Sequence, residues 1–195
     1  STDEGELLLS KTEAYGTDYA LTTTYAYDDQ GRLLSETAPT GAVTSYRYDL
    51  QGRVKLVSEP WAANGVRCTE TTYRPDASPY STEPAQVRVQ LLTDSTANTL
   101  RTDSYTYSTQ NGVKRVEVHS TAAGSTQTQL TVTETWTGDV DNRFARGRVR
   151  MTQAVNGVQT WHEYEATDYE GALYTETIET RVSGQPVAGQ STRTI

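Results

Sequence analysis

The sequence has only one cysteine, one phenylalanine, one methionine and two histidines among its 195 residues. The single cysteine, Cys68, cannot form an internal disulfide and fits no zinc or redox spacing, so we interpret it as a structural thiol rather than a nucleophile. No apolar run approaches the ~18 residues of a membrane-spanning helix, and no charged start precedes a hydrophobic stretch. We therefore expect no membrane span and no signal peptide in this sequence, and any export signal is expected outside it.

Apolar side chains are also scarce, at 34% of the chain, and the mean hydropathy is −0.67. That supply is thin for a compact helical core, whereas the 13 tyrosines and many threonines favour extended chain, because aromatic and β-branched side chains suit a pleated, half-buried surface. The 17 basic and 25 acidic side chains give a net charge of −8 without any basic block. We therefore expect an all-β protein that does not bind nucleic acid, since its field would repel a polyanion.

Patterns for catalysis and metal binding are weak. The two histidines, His119 and His162, have no serine elbow or paired acids around them, so we interpret them as surface or cross-strand residues. Asp139 and Asp141 resemble the start of a calcium loop, but Arg143 stands at a ligand position, which favours a solvated loop. Further along, a group of acids is typical of a solvated face rather than of glycosidase carboxylates. That group is Glu163, Glu165, Asp168 and Glu170. We expect no catalysis, no metal and no cofactor.

The positive feature of the sequence is an internal repeat. The stretch YAYDDQGRLLSETAPTGAVTSYRYDLQGRVKLVSEP, residues 25–60, matches itself at a shift of 21 residues. Repeats of this kind indicate supersecondary units that stack on their neighbours. The recurring residues are Tyr25, Tyr27, Asp28, Gly31 and Arg32 in the first copy, and Tyr46, Tyr48, Asp49, Gly52 and Arg53 in the second.

Each repeat is predicted to be one β-hairpin. Large and small side chains alternate along residues 19–27 and similar stretches, which places the two sets on opposite faces of a strand. Asn-Gly pairs at 64, 111 and 156 are typical of two-residue type I′ turns. Asp28 and Asp49 precede Gln-Gly pairs and are expected to accept backbone N–H bonds at the turn, with Arg32 and Arg53 returning toward them.

The pattern Tyr-x-Tyr-Asp-x-x-Gly-Arg, present twice in tandem, resembles the YD repeat of the RHS family. The resemblance implies a long β-sheet that spirals into a hollow shell, as in the C components of bacterial Tc toxins, in polymorphic RHS toxins and in teneurins. In the toxins the shell encloses a C-terminal effector, often released by an aspartyl autoprotease whose motif is not visible in this sequence. The chain is therefore expected to be a segment of shell wall, whose edge strands are covered in the parent protein or pair in a dimer.

The repeat divides the chain into three regions. Residues 1–65 are predicted to be YD-repeat hairpins, residues 66–104 to be an insertion or loop-rich connection, and residues 105–195 to be further, degenerate YD-like hairpins. The middle region fits the repeat poorly and contains three of the six prolines, which favour turns and loops.

Two functions remain open. In the first and preferred one, the chain is a non-catalytic structural module of a secreted or surface bacterial RHS-repeat protein, part of a β-shell that encloses a toxin or effector polypeptide. Its partners would be the rest of the shell and that polypeptide, and its location would be extracellular or at the bacterial cell surface. In the second, it is a carbohydrate-binding or adhesion module whose aromatic rings stack on sugars. The candidate stacking residues are Tyr25, Tyr27, Tyr46, Tyr48, Trp161 and Tyr164.

Overall fold

The regular structure is entirely β in the part of the chain that the computed structural model describes. The described residues are 7–14, 16, 20–62, 65–93, 96–137, 145–166 and 174–194. Within these ranges there is no helix long and apolar enough to cross a membrane. Some residues singled out in the sequence lie outside the described ranges. They are Tyr19, Asn64, Asp139, Asp141, Asp168 and Glu170.

The described residues form fourteen strands, and the order of these strands across the sheet is their order along the chain. The strands of the first half are β1 (Ser10–Glu13), β2 (Leu21–Tyr27), β3 (Leu33–Thr37), β4 (Val43–Tyr48), β5 (Val54–Trp61), β6 (Gly65–Tyr73) and β7 (Pro84–Thr93). Those of the second half are β8 (Thr96–Gln110), β9 (Val113–Ala122), β10 (Thr128–Trp136), β11 (Val149–Gln153), β12 (Gln159–Ala166), β13 (Tyr174–Val182) and β14 (Gln185–Thr194). The predicted all-β chain of antiparallel hairpins is confirmed.

Two compact units make up the chain, Ser1–Thr102 and Asp103–Ile195. The region 66–104, expected to be an insertion or loop-rich connection, contributes most of β6, all of β7 and the start of β8. Its longest irregular stretch is the connection between β6 and β7, residues 74–83, which contains Pro75 and Pro79.

Most side chains of the described strands are only half-buried, since these strands form one sheet. Among the described residues, the buried hydrophobic side chains are Cys68, Val132, Ala145, Met151 and Tyr164. Each unit must therefore be stabilised by backbone ladders and by contacts between side chains on adjacent strands.

A one-residue bulge flanks each YD turn, and its extra residue, Leu34 or Lys55, lies on the strand that follows the turn. The register shifts between Ala26 and Tyr27 in the pairing of β2 with β3, and between Arg47 and Tyr48 in the pairing of β4 with β5. A bulge inserts one residue into a strand and increases its local twist, so it can redirect the side chains beside it. The second tyrosine of each motif is thus placed at the irregular end of its strand, immediately before the aspartate.

The turn glycines adopt left-handed backbone conformations. Gly31 and Gly52 have φ values of +74° and +79°. At Asn111 and Gly112 both φ values are positive, as a type I′ turn requires, so the prediction for this pair is confirmed. At Asn156 and Gly157 only the glycine has a positive φ, and the Asn156 carboxamide instead accepts the Val158 N–H at 3.1 Å. That hairpin therefore closes with a different turn from the one its Asn-Gly pair predicted.

Replacing Gly52 with alanine is expected to destabilise the protein by about 1–2 kcal/mol, because a Cβ is disfavoured at positive φ. Space is not the cause, since the nearest atom to the added Cβ would be the Arg32 Nη1 at 3.8 Å. The unfolding midpoint in urea measures the effect. The matched control is Gln51→Ala in the same turn, and an equal loss in both variants would contradict the conformational explanation.

Candidate functional site

The candidate site is the Tyr-Asp-Gly-Arg motif, whose aspartate and arginine form hydrogen bonds with each other and with the backbone of the turn. The Asp49 Oδ1 accepts the backbone N–H groups of Gln51 and Arg53, both at 2.9 Å, and its Oδ2 accepts the Arg53 Nε–H at 2.7 Å. The Gly52 N–H donates to the Asp49 carbonyl at 3.1 Å and the Asp49 N–H to the Arg53 carbonyl at 2.9 Å. The carboxylate therefore fixes both ends of the turn at once.

The first copy of the motif repeats this geometry almost atom for atom. The Asp28 Oδ1 accepts the N–H groups of Gln30 at 3.0 Å and of Arg32 at 2.9 Å, and the Arg32 Nε–H donates to Oδ2 at 2.7 Å. The predicted Asx-type turn and the return of each arginine toward its aspartate are thus present in both copies.

The arginine of each motif also contacts the hairpin that follows. The Arg32 guanidinium lies 4.7 Å from the ring centroid of Tyr48, and the Tyr48 hydroxyl donates to the Leu33 carbonyl at 2.8 Å. Cation–π contact and hydrogen bond together fix one hairpin against the next. We call this set of contacts, from aspartate through arginine to the next tyrosine, the YD clamp.

A further clamp lies where sequence reasoning found no repeat. Arg53 lies 4.1 Å from the ring centroid of Tyr73, and the Tyr73 hydroxyl donates to the Val54 carbonyl at 2.7 Å. The Arg53 Nη1 group also donates to the Ser81 carbonyl at 3.0 Å, which attaches the β6–β7 connection to the turn. The sequence signal that was available is the tyrosine at the end of an alternating Thr-rich strand, without the Asp-x-x-Gly-Arg that normally follows.

The second unit contains the tyrosine half of the clamp. The Tyr164 hydroxyl donates to the Val149 carbonyl at 2.8 Å, and the Arg148 guanidinium lies 5.7 Å from the Tyr164 ring. The Trp136 N–H donates to the Arg148 carbonyl at 2.9 Å, and the Trp136 carbonyl accepts the Gly147 N–H at 2.8 Å. The second unit therefore has an arginine–tyrosine contact like that of the clamp.

The clamp shifts the pKa values of its members. The backbone N–H of Arg32, helped by its side chain, holds the pKa of Asp28 below its usual range. Burial by itself would raise the pKa of Asp49, but the hydrogen bonds from Arg53 and Gln51 outweigh it, so the pKa is lowered. Burial, followed by the nearby Asp49 charge, raises the pKa of Tyr73. Both aspartates are thus held as carboxylates and Tyr73 as a neutral phenol.

The four motif tyrosines are all half-buried. The hydroxyls of Tyr27 and Tyr48 donate to backbone carbonyls, Tyr27 to Leu8 at 2.9 Å. Burial raises the pKa of Tyr46, which lies opposite Val57 on the adjacent strand. These contacts favour packing between strands over an open row of rings for sugars.

Trp161 lies in a row of alternating rings and guanidinium groups. Arg150 is 5.3 Å from the Trp136 ring and 4.8 Å from the Trp161 ring, and Arg181 is 4.7 Å from the Trp161 ring. Sequence reasoning missed both arginines, which are far from Trp161 in the chain. Because guanidinium groups contact the Trp161 ring from two neighbouring strands, this contact also favours packing over sugar stacking.

Two buried carboxylates in the second unit, Glu134 and Glu176, are bound by basic or hydroxyl partners. Glu134, only 8% exposed, accepts from the Nη1 groups of Arg115 and Arg150. Glu176, 3% exposed, lies 2.8 Å from the His162 Nδ1 and accepts the Tyr164 hydroxyl at 3.2 Å. Burial of a charge is tolerated when it is paired in this way.

The remaining residues singled out in the sequence are scattered. His119 is half-buried, 3.7 Å from the Glu117 carboxylate, and Cys68 is a buried thiol, 3.4 Å from the Ser58 hydroxyl. Glu163 and Glu165 are exposed on β12. In the part of the chain that the structure describes, no group of three or more histidine, cysteine or acidic residues could hold a metal ion.

Consecutive hairpins joined by a recurring side-chain clamp define this chain as a repeat protein of the antiparallel β class. The profile of the RHS Repeat family matches it twice, at residues 5–43 and 27–65. The predicted resemblance to the RHS family is therefore confirmed for residues 5–65. No curated protein matches the sequence.

Solved structures of TcdB2-TccC3 proteins show a distant similarity. The structure of TcdB2-TccC3-TEV is 12% identical over 87% of this chain, with a TM-score of 0.23. The structure of TcdB2-TccC3 without the hypervariable C-terminal region is 11% identical over 87% of this chain, also with a TM-score of 0.23. This chain spans 15% of the length of those chains. With TM-scores this low, the assignment rests on the repeat match and the clamp geometry.

Replacing Arg53 with lysine is expected to lower the free energy of unfolding by about 1–3 kcal/mol, although the charge is kept. Lysine cannot reproduce the side-on Nε bond to Asp49, the contact with the Tyr73 ring and the Nη1 bond to Ser81 together. Chemical unfolding measures the change. Arg47→Lys, at an exposed strand position, is the control, and a loss no larger than that of the control would rule out the clamp as a stabilising contact.

Acid is expected to destabilise the protein partly through the clamp. Because folding lowers the pKa of Asp49 below its ordinary value of 3.8, its contribution is fully present above that value. It is then lost as the pH falls through the lower folded pKa. Asp49→Asn should therefore weaken the dependence of the unfolding midpoint on pH between about 4 and about 2. Glu163→Gln, an exposed carboxylate, is the control, and an unchanged pH profile for Asp49→Asn would contradict the assignment.

Proposed function

We propose that the chain is a non-catalytic wall module of a secreted or surface bacterial RHS-repeat protein, where it forms part of a β-shell that encloses a toxin or effector polypeptide. The observation that carries the proposal is that the polar groups of the motif bind other groups of the protein itself. The Asp49 carboxylate and the Arg53 Nε and Nη1 groups are bound within the turn or to the adjacent connection. A motif that served catalysis or recognition would leave reactive groups directed at a substrate.

The physical role of such a wall is to keep other molecules away from the enclosed polypeptide. A continuous ladder of backbone hydrogen bonds satisfies its own polar groups, and the clamp joins successive hairpins, so a sheet of this kind can extend without a second layer. Its partners are the neighbouring repeats of the parent shell and the enclosed polypeptide, and its location is extracellular or at the bacterial cell surface. An isolated copy of the chain is left with β1 and β14 at the ends of its strand order, where pairing with a second copy would form a dimer.

A carbohydrate-binding or adhesion module is the second candidate. It is favoured by aromatic side chains that are open to solvent, Trp61 at 47% exposure and Tyr80 at 86%. Neither belongs to the repeat motif, so this function would be an addition to the wall rather than the reason for the repeat.

Protease protection tests the wall function in the full-length parent protein. We expect its enclosed polypeptide to resist proteinase K, and Arg53→Ala to speed its cleavage severalfold, because that substitution releases one hairpin and the β6–β7 connection. Arg47→Ala should leave the cleavage rate at the parent's value. A parent protein with no protected polypeptide, or equal cleavage in both variants, would refute enclosure. Glycan binding abolished by Trp61→Ala would then support adhesion.

A further inference from the structure

A polar pocket lies on one face of the second unit, beside the turn that joins β8 to β9. Its volume is about 370 Å³, and six of its eight lining side chains carry hydroxyl, carboxamide, carboxylate or guanidinium groups. Those six are Ser108, Gln110, Asn111, Arg115, Glu134 and Arg150. Glu134 pairs with Arg115 across β9 and β10, which places these two side chains on the same face. Because most of its lining can form hydrogen bonds, the pocket suits a polar ligand.

A buried carboxylate holds the two arginines of the pocket in place. The Arg115 Nη1 group donates to the Glu134 Oε1 at 2.8 Å, and the Arg150 Nη1 group donates to Oε2. The Arg115 Nε–H also donates to the Glu117 Oε1 at 2.8 Å. A one-residue bulge in the pairing of β10 with β11 leaves Arg150 as the extra residue, and its guanidinium lies 5.3 Å from the Trp136 ring. Side chains that are ordered before a ligand binds lower the cost of binding.

Several hydrogen-bonding groups of the pocket are not used by the protein itself. Among the described residues, the exposed side chains of Ser108, Gln110 and Asn111 have no hydrogen-bond partner. The same holds for the Arg115 Nη2 group and for the Arg150 Nε and Nη2 groups. The pocket therefore offers guanidinium and carboxamide N–H donors together with hydroxyl and carboxamide oxygens that accept.

The charges around the pocket are balanced. Arg115 and Arg150 carry two positive charges, and the carboxylates that they bind, Glu117 and Glu134, carry two negative charges. The hydrogen bond from Arg115 lowers the pKa of Glu117, which keeps this group ionised at neutral pH. An ionic ligand would lose its hydration here without a net opposite charge to compensate, so the pocket selects a neutral ligand.

We propose that this pocket binds a neutral sugar, either a monosaccharide or the end of a saccharide chain. Each sugar hydroxyl both donates and accepts hydrogen bonds, which matches the mixture of donors and acceptors in the pocket. Val113 and Trp136 supply apolar surface for the C–H groups of a sugar ring. The volume is within the range of small-ligand pockets, about 300–1,000 Å³, and near its lower end. The inference goes beyond the wall function, and its residues are distinct from the tyrosines of the repeat.

A titration of the isotopically labelled chain with small glycosides, followed by NMR, tests the proposal. The neutral ligands are the methyl glycosides of glucose, galactose, mannose and N-acetylglucosamine, and the charged ones are methyl glucuronide and methyl glucosaminide. We expect at least one neutral glycoside to shift the Trp136 indole and Arg150 Nε signals, and each charged one to bind about fivefold more weakly. No shift with any neutral glycoside, or tighter binding of a charged one, would overturn the proposal. Equal binding of the neutral capped peptide acetyl-Gly-Ser-Gly-amide would do so as well.

Two variants remove carboxamides that the protein itself does not bind. Gln110→Ala and Asn111→Gly are each expected to weaken glycoside binding about fivefold, and glycine tolerates the positive φ at position 111. Gln129→Ala is the matched control, at an exposed position on the opposite face of β10 from Glu134, and should leave the affinity unchanged. Unchanged affinity in both pocket variants, or equal weakening by Gln129→Ala, would contradict the assignment. Protease protection of the parent protein tests the wall function separately, so each proposal can fail without the other.

Discussion

The contact from aspartate through arginine to the next tyrosine is the interaction on which the repeats depend. A two-stranded hairpin is only marginally stable in water, and this chain supplies few apolar side chains to cover one. The Arg53 guanidinium answers that constraint by binding the Asp49 carboxylate of its own turn while lying over the Tyr73 ring of the following hairpin. One side chain therefore both closes its own turn and attaches the following hairpin.

The other described strands likewise pack with few fully buried apolar side chains. Half-buried side chains cover each face, and the charges that become buried are bound by partners on adjacent strands, as Glu134 is by Arg115 and Arg150. In the second unit Tyr164 makes the corresponding contact, since its hydroxyl donates to the Val149 carbonyl. A tyrosine hydroxyl bound to a backbone carbonyl of another strand is thus present in both units.

Much of the fold and of the clamp could be predicted from the local sequence. Asp28 and Asp49 could be assigned to turns because a short carboxylate before Gln-Gly has few other uses, and the alternation of side chains identified the strands. The Tyr73 clamp was not predictable, because its partner Arg53 is 20 residues away and its own strand is followed by Arg-Pro rather than by a glycine turn. The row formed by Trp136, Arg150 and Trp161 depends on cross-strand register, which a one-residue bulge in the pairing of β10 with β11 alters. Periodicity alone does not specify that register.

Four tyrosine hydroxyls donate to the backbone carbonyl of an earlier strand. Tyr27 donates to Leu8, Tyr48 to Leu33, Tyr73 to Val54 and Tyr164 to Val149, so in these four hydrogen bonds the donor follows the acceptor in sequence. For each of these bonds, a strand leaving the ribosome therefore meets a carbonyl acceptor that has already been synthesised. This polarity suits growth from the N-terminus, the order in which a nascent polypeptide becomes available for folding. A long series of such hairpins can accordingly fold one unit at a time, before the C-terminal hairpins have been synthesised.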